Sequence, residues 1–168
     1  MPFLFASPAG NPYCVPKRQV TAEVILPGQH PLTVKLFLNE CAETHGGRER
    51  PSDVLNGPIA FIPATDHLGK LILLQRDSVL AVSVAAVEES QADFTLPGEP
   101  APNDVKSVQV EVVLEEGTTI RGIATYLMPE PQRRLQDFLN TADRFLALRE
   151  DSIMHLVNKR RIAQVRPA

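Results

Sequence analysis

Residues 50–61 read R-P-S-D-V-L-N-G-P-I-A-F, and residues 134–145 read R-L-Q-D-F-L-N-T-A-D-R-F. Five of these twelve positions are identical: Arg50/Arg134, Asp53/Asp137, Leu55/Leu139, Asn56/Asn140 and Phe61/Phe145. Val54/Phe138 adds an apolar match. A recurring stretch fixes the size of the fold unit before any element is assigned. The unit here is about half of the chain, so the sequence reads as two copies of one small domain.

The surroundings of the two stretches follow one order. Val20, Ala22, Val24 and Leu26 alternate with Thr21 and Glu23, the period of a half-buried strand. Pro27-Gly28 marks a turn, and Leu32, Val34, Leu36 and Leu38 alternate as a second strand. After the repeated stretch, residues 59–64, 68–75 and 79–84 read as three more strands. The second copy gives strands at 108–114, 119–127, 144–148, 152–157 and 162–165. Glu115-Glu116-Gly117 turns its first hairpin, and Asn158-Lys159-Arg160 turns between the last two strands. The chain therefore divides into an irregular tail at 1–18, a first domain at 19–84, a linker at 85–106 and a second domain at 107–168. Pro2, Pro8, Pro12 and Pro16 keep the tail irregular. The linker carries Glu88, Glu89, Asp93, Glu99 and Asp104 against Lys106, netting −4, so the acidity behind the chain's net charge of −3 sits there.

The Asp-x-Leu-Asn element has a structural role for each residue type. Ser52 or Asp53 caps one helical turn, Leu55 and Leu139 enter the cores, and Asn56 and Asn140 end the turn in left-handed geometry. Arg50 and Arg134 stand within reach of Asp53 and Asp137. The same Asp and Asn residues are candidates for lining a ligand site. The structural reading is preferred, because a fold-defining turn recurs in both copies whereas an active site need occur once. Aromatics make up 5% of the chain and Trp is absent, so the cores must be aliphatic. The expected core is Val24, Leu26, Leu36, Leu55, Phe61, Leu73 and Val82 in one copy. In the other it is Val112, Leu114, Ile123, Leu139, Phe145, Leu156 and Ile162.

Short, evenly spaced strands with turn signals predict an all-β fold: two tandem five-stranded small barrels, each with one short helical turn. The pattern V-x-V-x-L-x-x-G-x-x-I-x-G at 110–122 resembles the opening hairpin of an Sm-like domain. The run N-K-R-R-I-A-Q-V at 158–165 is similar to the Sm-type ending. The R-x-x-D-x-L-N turn is not a usual Sm feature, and marks a divergent bacterial tandem version of this SH3-like family. The resemblance implies exposed barrel edges and RNA as a partner, with Lys159, Arg160 and Arg161 touching phosphates. Arg133, Arg134 and Arg166 extend that basic patch.

No catalytic motif emerges. The loop 45–50, H-G-G-R-E-R, is an anion-nest candidate without P-loop or dinucleotide spacing. Cys41-x-x-x-His45 lacks the second ligand pair that a structural zinc site needs, so neither a metal nor a cofactor is expected. The R-x-x-x-R and D-x-S-x-x-G pair of cyclic-dinucleotide-binding PilZ barrels is absent from the sequence. An enzyme or nucleotide sensor built on the 45–53 loop is the weakest reading. Two cysteines, no secretory leader and no apolar span of about 18 residues point to a reducing, cytoplasmic setting. The function expected is non-enzymatic: an interaction or scaffolding protein that binds a protein partner, or itself, through its strand edges. Its two barrels would pack in pseudo-twofold fashion or join a ring, as Sm-like proteins do. If Leu139 is the core residue that the repeat makes it, Leu139→Ala lowers the unfolding free energy by about 2–5 kcal/mol in a denaturant titration.

Overall fold

The computed structural model describes residues 17–43, 45–90, 105–128 and 134–168. Most of the tail, to residue 16, and linker residues 91–104 lie outside the described residues, as does Arg133. The alternating stretches become strands. In the first repeat these are β1 (Lys17–Ile25), β2 (Leu32–Asn39), β3 (Phe61–Thr65), β4 (Leu71–Gln75) and β5 (Ala81–Ala85). The second repeat has β6 (Val105–Leu114), β7 (Thr119–Leu127), β8 (Phe145–Glu150), β9 (Ile153–Asn158) and β10 (Ile162–Pro167). Three short helices punctuate them: α1 (Pro51–Asn56), α2 (Ala86–Glu89) and α3 (Leu135–Leu139). Lys17 and Arg18, read as tail, already lie in β1, and residues 86–89, read as linker, form α2. The tight turn after β9 is a 3-10 turn at Lys159–Arg161.

The fold is all-β, but its hydrogen bonds run through one open antiparallel sheet rather than two separate barrels. The strand order is β10-β6-β7-β8-β9-β5-β1-β2-β3-β4. Each repeat contributes its strands in the same internal order, fifth-first-second-third-fourth. The two sets join where β9 pairs with β5 in antiparallel register. The fourth strand of the second repeat therefore meets the fifth strand of the first. That junction is head to tail, and it replaces the expected pseudo-twofold packing, in which each repeat would offer the same surface.

A hydrophobic cluster is centred on each repeat, with Phe145 and Leu156 joining the first and Leu80 and Ala81 the second. The first contains Val24, Leu36, Leu38, Leu55, Ile62 and Val82. The second contains Val110, Val112, Leu114, Ala124, Leu146 and Leu148. Expected core residues Phe61, Leu73 and Ile123 are instead exposed, while Leu26, Leu139 and Ile162 are only partly buried. Ile123 points to the outer face of β7, where its even-numbered neighbours Gly122 and Ala124 point inward. Phe61 and Leu73 sit at the β4 end of the sheet, where no further strand covers them among the described residues. In α1, Leu55 is buried, whereas its counterpart Leu139 in α3 is half-buried. Loss of stability on truncation to Ala, read by denaturant titration, is accordingly larger at Leu55 than at Leu139.

The repeats also trade volumes. Gly122 occupies the β7 position that Val34 holds in β2, and Leu148 occupies the β8 position that Ala64 holds in β3. A Cβ added at Gly122 would lie 2.9 Å from the Leu148 Cβ and 3.1 Å from the Arg149 carbonyl oxygen. The small residue lets β7 and β8 approach, and the large one fills the space. Gly122→Val should cost about 1–3 kcal/mol in chemical denaturation, as overpacking does. Adding Leu148→Ala recreates the Val34/Ala64 pair and should recover part of that loss.

Candidate functional site: the repeat junction and the free strand edge

The repeated turn does its work between the repeats. At the N-terminus of α1, Asp53 Oδ2 accepts from the Arg50 amide at 2.8 Å, while the Arg50 Nη2 donates to Oδ1 at 2.9 Å. Asp53 is the N3 residue of the turn; the N-cap position belongs to Arg50 rather than Ser52 or Asp53. In α3, Asp137 accepts from the Arg134 amide at 3.3 Å. Neither asparagine takes left-handed geometry, since Asp151 is the non-glycine residue with positive φ among the described residues. Asn56 has a different role: its Oδ1 accepts from the Phe145 amide at 2.8 Å, across the junction. Asn158 answers from the other side. It is fully buried, its Nδ2 donates to the Val79 carbonyl at 2.9 Å, and its amide donates to the Leu80 carbonyl at 2.9 Å. Arg144 adds an ion pair to Asp77 at the rim. Phe145 and Leu156, both of the second repeat, enter the core cluster of the first.

The loop 45–50 is tied down by this turn. The Gly47 amide donates to His45 Nδ1 at 3.1 Å, so the other ring nitrogen, Nε2, carries the proton toward Asp53 Oδ2 at 2.8 Å. Burial alone would raise the Asp53 carboxyl, but hydrogen bonds from Arg50 and His45 outweigh it and hold the group down at about 2. Arg50 is held above its usual value by the same bond. Glu89, whose carboxylate accepts from the Ser52 amide at 2.8 Å, is pushed up by burial. This cluster is a set of mutually satisfied groups around α1 and α2. No group of three or more His, Cys, Asp or Glu side chains converges to hold a metal among the described residues. Cys41 is exposed.

The basic turn is partly engaged. Lys159 Nζ donates to the Leu139 carbonyl at 3.1 Å and the Thr141 carbonyl at 2.9 Å, and burial lowers its pKa. Its counterpart Arg76 reaches the equivalent Gly57 carbonyl, so this cation is a repeated brace on the end of the helical turn. Arg161 Nε donates to the Asp77 carbonyl at 3.0 Å. Arg160 is exposed, with no side-chain partner among the described residues. Arg166 approaches Glu111 at 3.5 Å.

Sequence spacing gave no hint of a Ser83–His155–Glu150 chain. His155 Nδ1 lies 2.8 Å from Ser83 Oγ, and Nε2 lies 3.0 Å from Glu150 Oε2. Ser83 and His155 are directly opposed on β5 and β9. The resemblance to a nucleophile and its base stops there. Both strands continue their ladder pairing through these positions. The pair is best described as a polar clasp on the outer face of the junction.

The other notable surface is at the β4 end of the sheet. Phe61, Leu71 and Leu73 are 56%, 66% and 61% exposed. Phe61 faces Gln75, and Phe145 faces Asn158, so Leu73 corresponds to Leu156 and Leu71 to Met154. Phe145 and Leu156 are 4% and 0% exposed. The same row of apolar residues is covered at the junction and bare at the free edge. No helix among the described residues is long and apolar enough to cross a membrane. Comparison of the chain with protein-family models, curated proteins and solved structures returned no match.

The depressed Asp53 carboxyl has a pH consequence. A carboxylate whose folded pKa lies below its unfolded value stabilises the fold above the unfolded value. That contribution is lost as pH falls from 3.8 through about 2. Acid titration of stability should show a loss in this window that Asp53→Asn removes.

Proposed function

We propose that the chain is a non-enzymatic interaction or scaffolding module made of two Sm-like or SH3-like small-barrel units, fused edge to edge. The observation that carries this reading is the bare row Phe61, Leu71 and Leu73 on the unpaired edge strand β4 and its neighbour β3. An edge strand presents unpaired amides and carbonyls to another chain, and natural edges are usually blunted by charge, proline or a covering element. Here the strand reads L-I-L-L-Q, with no charge within it. Strand addition would supply main-chain hydrogen bonds, and alternate side chains would supply specificity. Two hydrophobic clusters, each centred on one repeat and completed by residues of the other, support two fused small-barrel units.

RNA binding through Lys159, Arg160 and Arg161 has less support, because Lys159 and Arg161 spend their donors on carbonyl oxygens, leaving Arg160. Single-strand binders also rely on stacking aromatics, and the turn has none. A photoreactive residue placed at Leu73 in cells should capture a discrete protein adduct, while one at exposed Glu116 should not. Equal, diffuse labelling from both positions would remove the edge as the binding surface.

A further inference from the structure

The junction inside the chain is a template for a junction between chains. Its one half is α1 with β5; its other half is β8 with β9. Each half has an unused repeat at an end of the sheet. The equivalent of α1 with β5 is α3 with the edge strand β10, and the equivalent of β8 with β9 is β3 with the edge strand β4. Both unused halves show what the used ones bury. Leu139 is half-buried where Leu55 is buried, and Phe61 and Leu73 are exposed where Phe145 and Leu156 are buried. Asn140 corresponds to Asn56, but among the described residues its side chain makes no hydrogen bond beyond its own turn, its Nδ2 donating to the Gln136 carbonyl at 2.9 Å. Its Oδ1 is the atom that, in Asn56, receives the Phe145 amide.

Resting on the reading of β4 as an interaction edge, we propose that its partner is a second copy of this chain, docked head to tail. The β4 strand of one copy pairs antiparallel with β10 of the next. The Asn140 side chain of that next copy accepts from the Phe61 amide, and Phe61 and Leu73 enter its second hydrophobic cluster. The internal junction fixes the register. Val82 opposes Leu156. Both Val82 and Val165 oppose equivalent valines, Val24 and Val112, on the first strands of their repeats. Val165 therefore opposes Leu73, and the Ala163 carbonyl receives the Gln75 amide, as the Leu80 carbonyl receives that of Asn158.

The contact between chains is weaker than its template. Ala60 stands where Arg144 forms its ion pair, and Arg160 stands where Asp77 does. Pro167 falls opposite Leu71 and removes one amide from the ladder. The association is therefore reversible and rises with concentration. Because it is heterologous, it propagates until geometry closes it.

Sedimentation velocity of the full chain over a wide concentration series tests this. The wild-type mass should grow with concentration. Phe61→Arg blocks one end and Asn140→Arg the other, so each alone should be monomeric with an unchanged melting temperature, since both residues are exposed. Mixed in equal amounts, the two variants keep one good end each and should form a dimer that grows no further. A wild-type chain that stays monomeric throughout would overturn the proposal while leaving the Leu73 adduct to identify a different partner. Unaltered association of Asn140→Arg would also overturn it, since β4 would then be pairing with something other than the α3–β10 end.

Discussion

The ladder between β5 and β9 is the constraint on which the rest of the molecule depends. It is the strand pairing that joins the two repeats, and the polar groups at its end are paired from both sides. Asn158, fully buried, satisfies backbone groups of the first repeat. Asn56 satisfies a backbone amide of the second. Leaving a buried donor or acceptor unmade costs about 1–3 kcal/mol, so these two asparagines define the join more sharply than apolar contact does. The rim ion pair between Arg144 and Asp77 matters less, since Asp77 is substantially exposed and such pairs are worth little.

A head-to-tail join has a built-in asymmetry. Two copies of one unit, placed so that the fourth strand of one meets the fifth strand of the other, always leave one fifth and one fourth strand unpaired. The sequence has answered this differently at the two ends. At β10, Gln164, Arg166 and Pro167 replace Ala81, Ser83 and Val84 of β5, and the edge is partly blunted. At β4, the apolar row remains. The difference between Phe61 and Phe145, identical in sequence and opposite in exposure, follows from position in the sheet and from nothing in the residue itself.

The repeated turn combines two functions that its sequence does not separate. Arg50, Asp53 and His45 organise the turn and pin the preceding loop. Asn56 reaches outward to the neighbouring repeat. In the second copy the Asp cap persists in a looser form, and Phe138 stacks on Tyr126 with ring centroids 4.5 Å apart, where the first copy has Val54 and Leu38. Lys159 and Arg76 show the same economy. A cation at the end of the fourth strand holds the carbonyls that close the helical turn in both copies.

The amino-acid sequence by itself determined the repeat, the all-β class, the hairpin order and most strand positions, because period-two alternation and turn residues act over short stretches of chain. It also marked Arg50, Asp53, Leu55 and Asn56, with their second-copy partners, as the element that defines the unit. Tertiary structure alone decided that the two units share one open sheet, that Asn56 serves Phe145 instead of its own turn, and that Ser83 meets His155. It decided likewise that Phe145 and Leu156 are buried while Phe61 and Leu73 are bare. Alternation says which face a strand residue points to, but whether that face is covered depends on a neighbouring strand far away in the chain. That neighbour is chosen by register and hydrogen bonding between the repeats, not by local pattern.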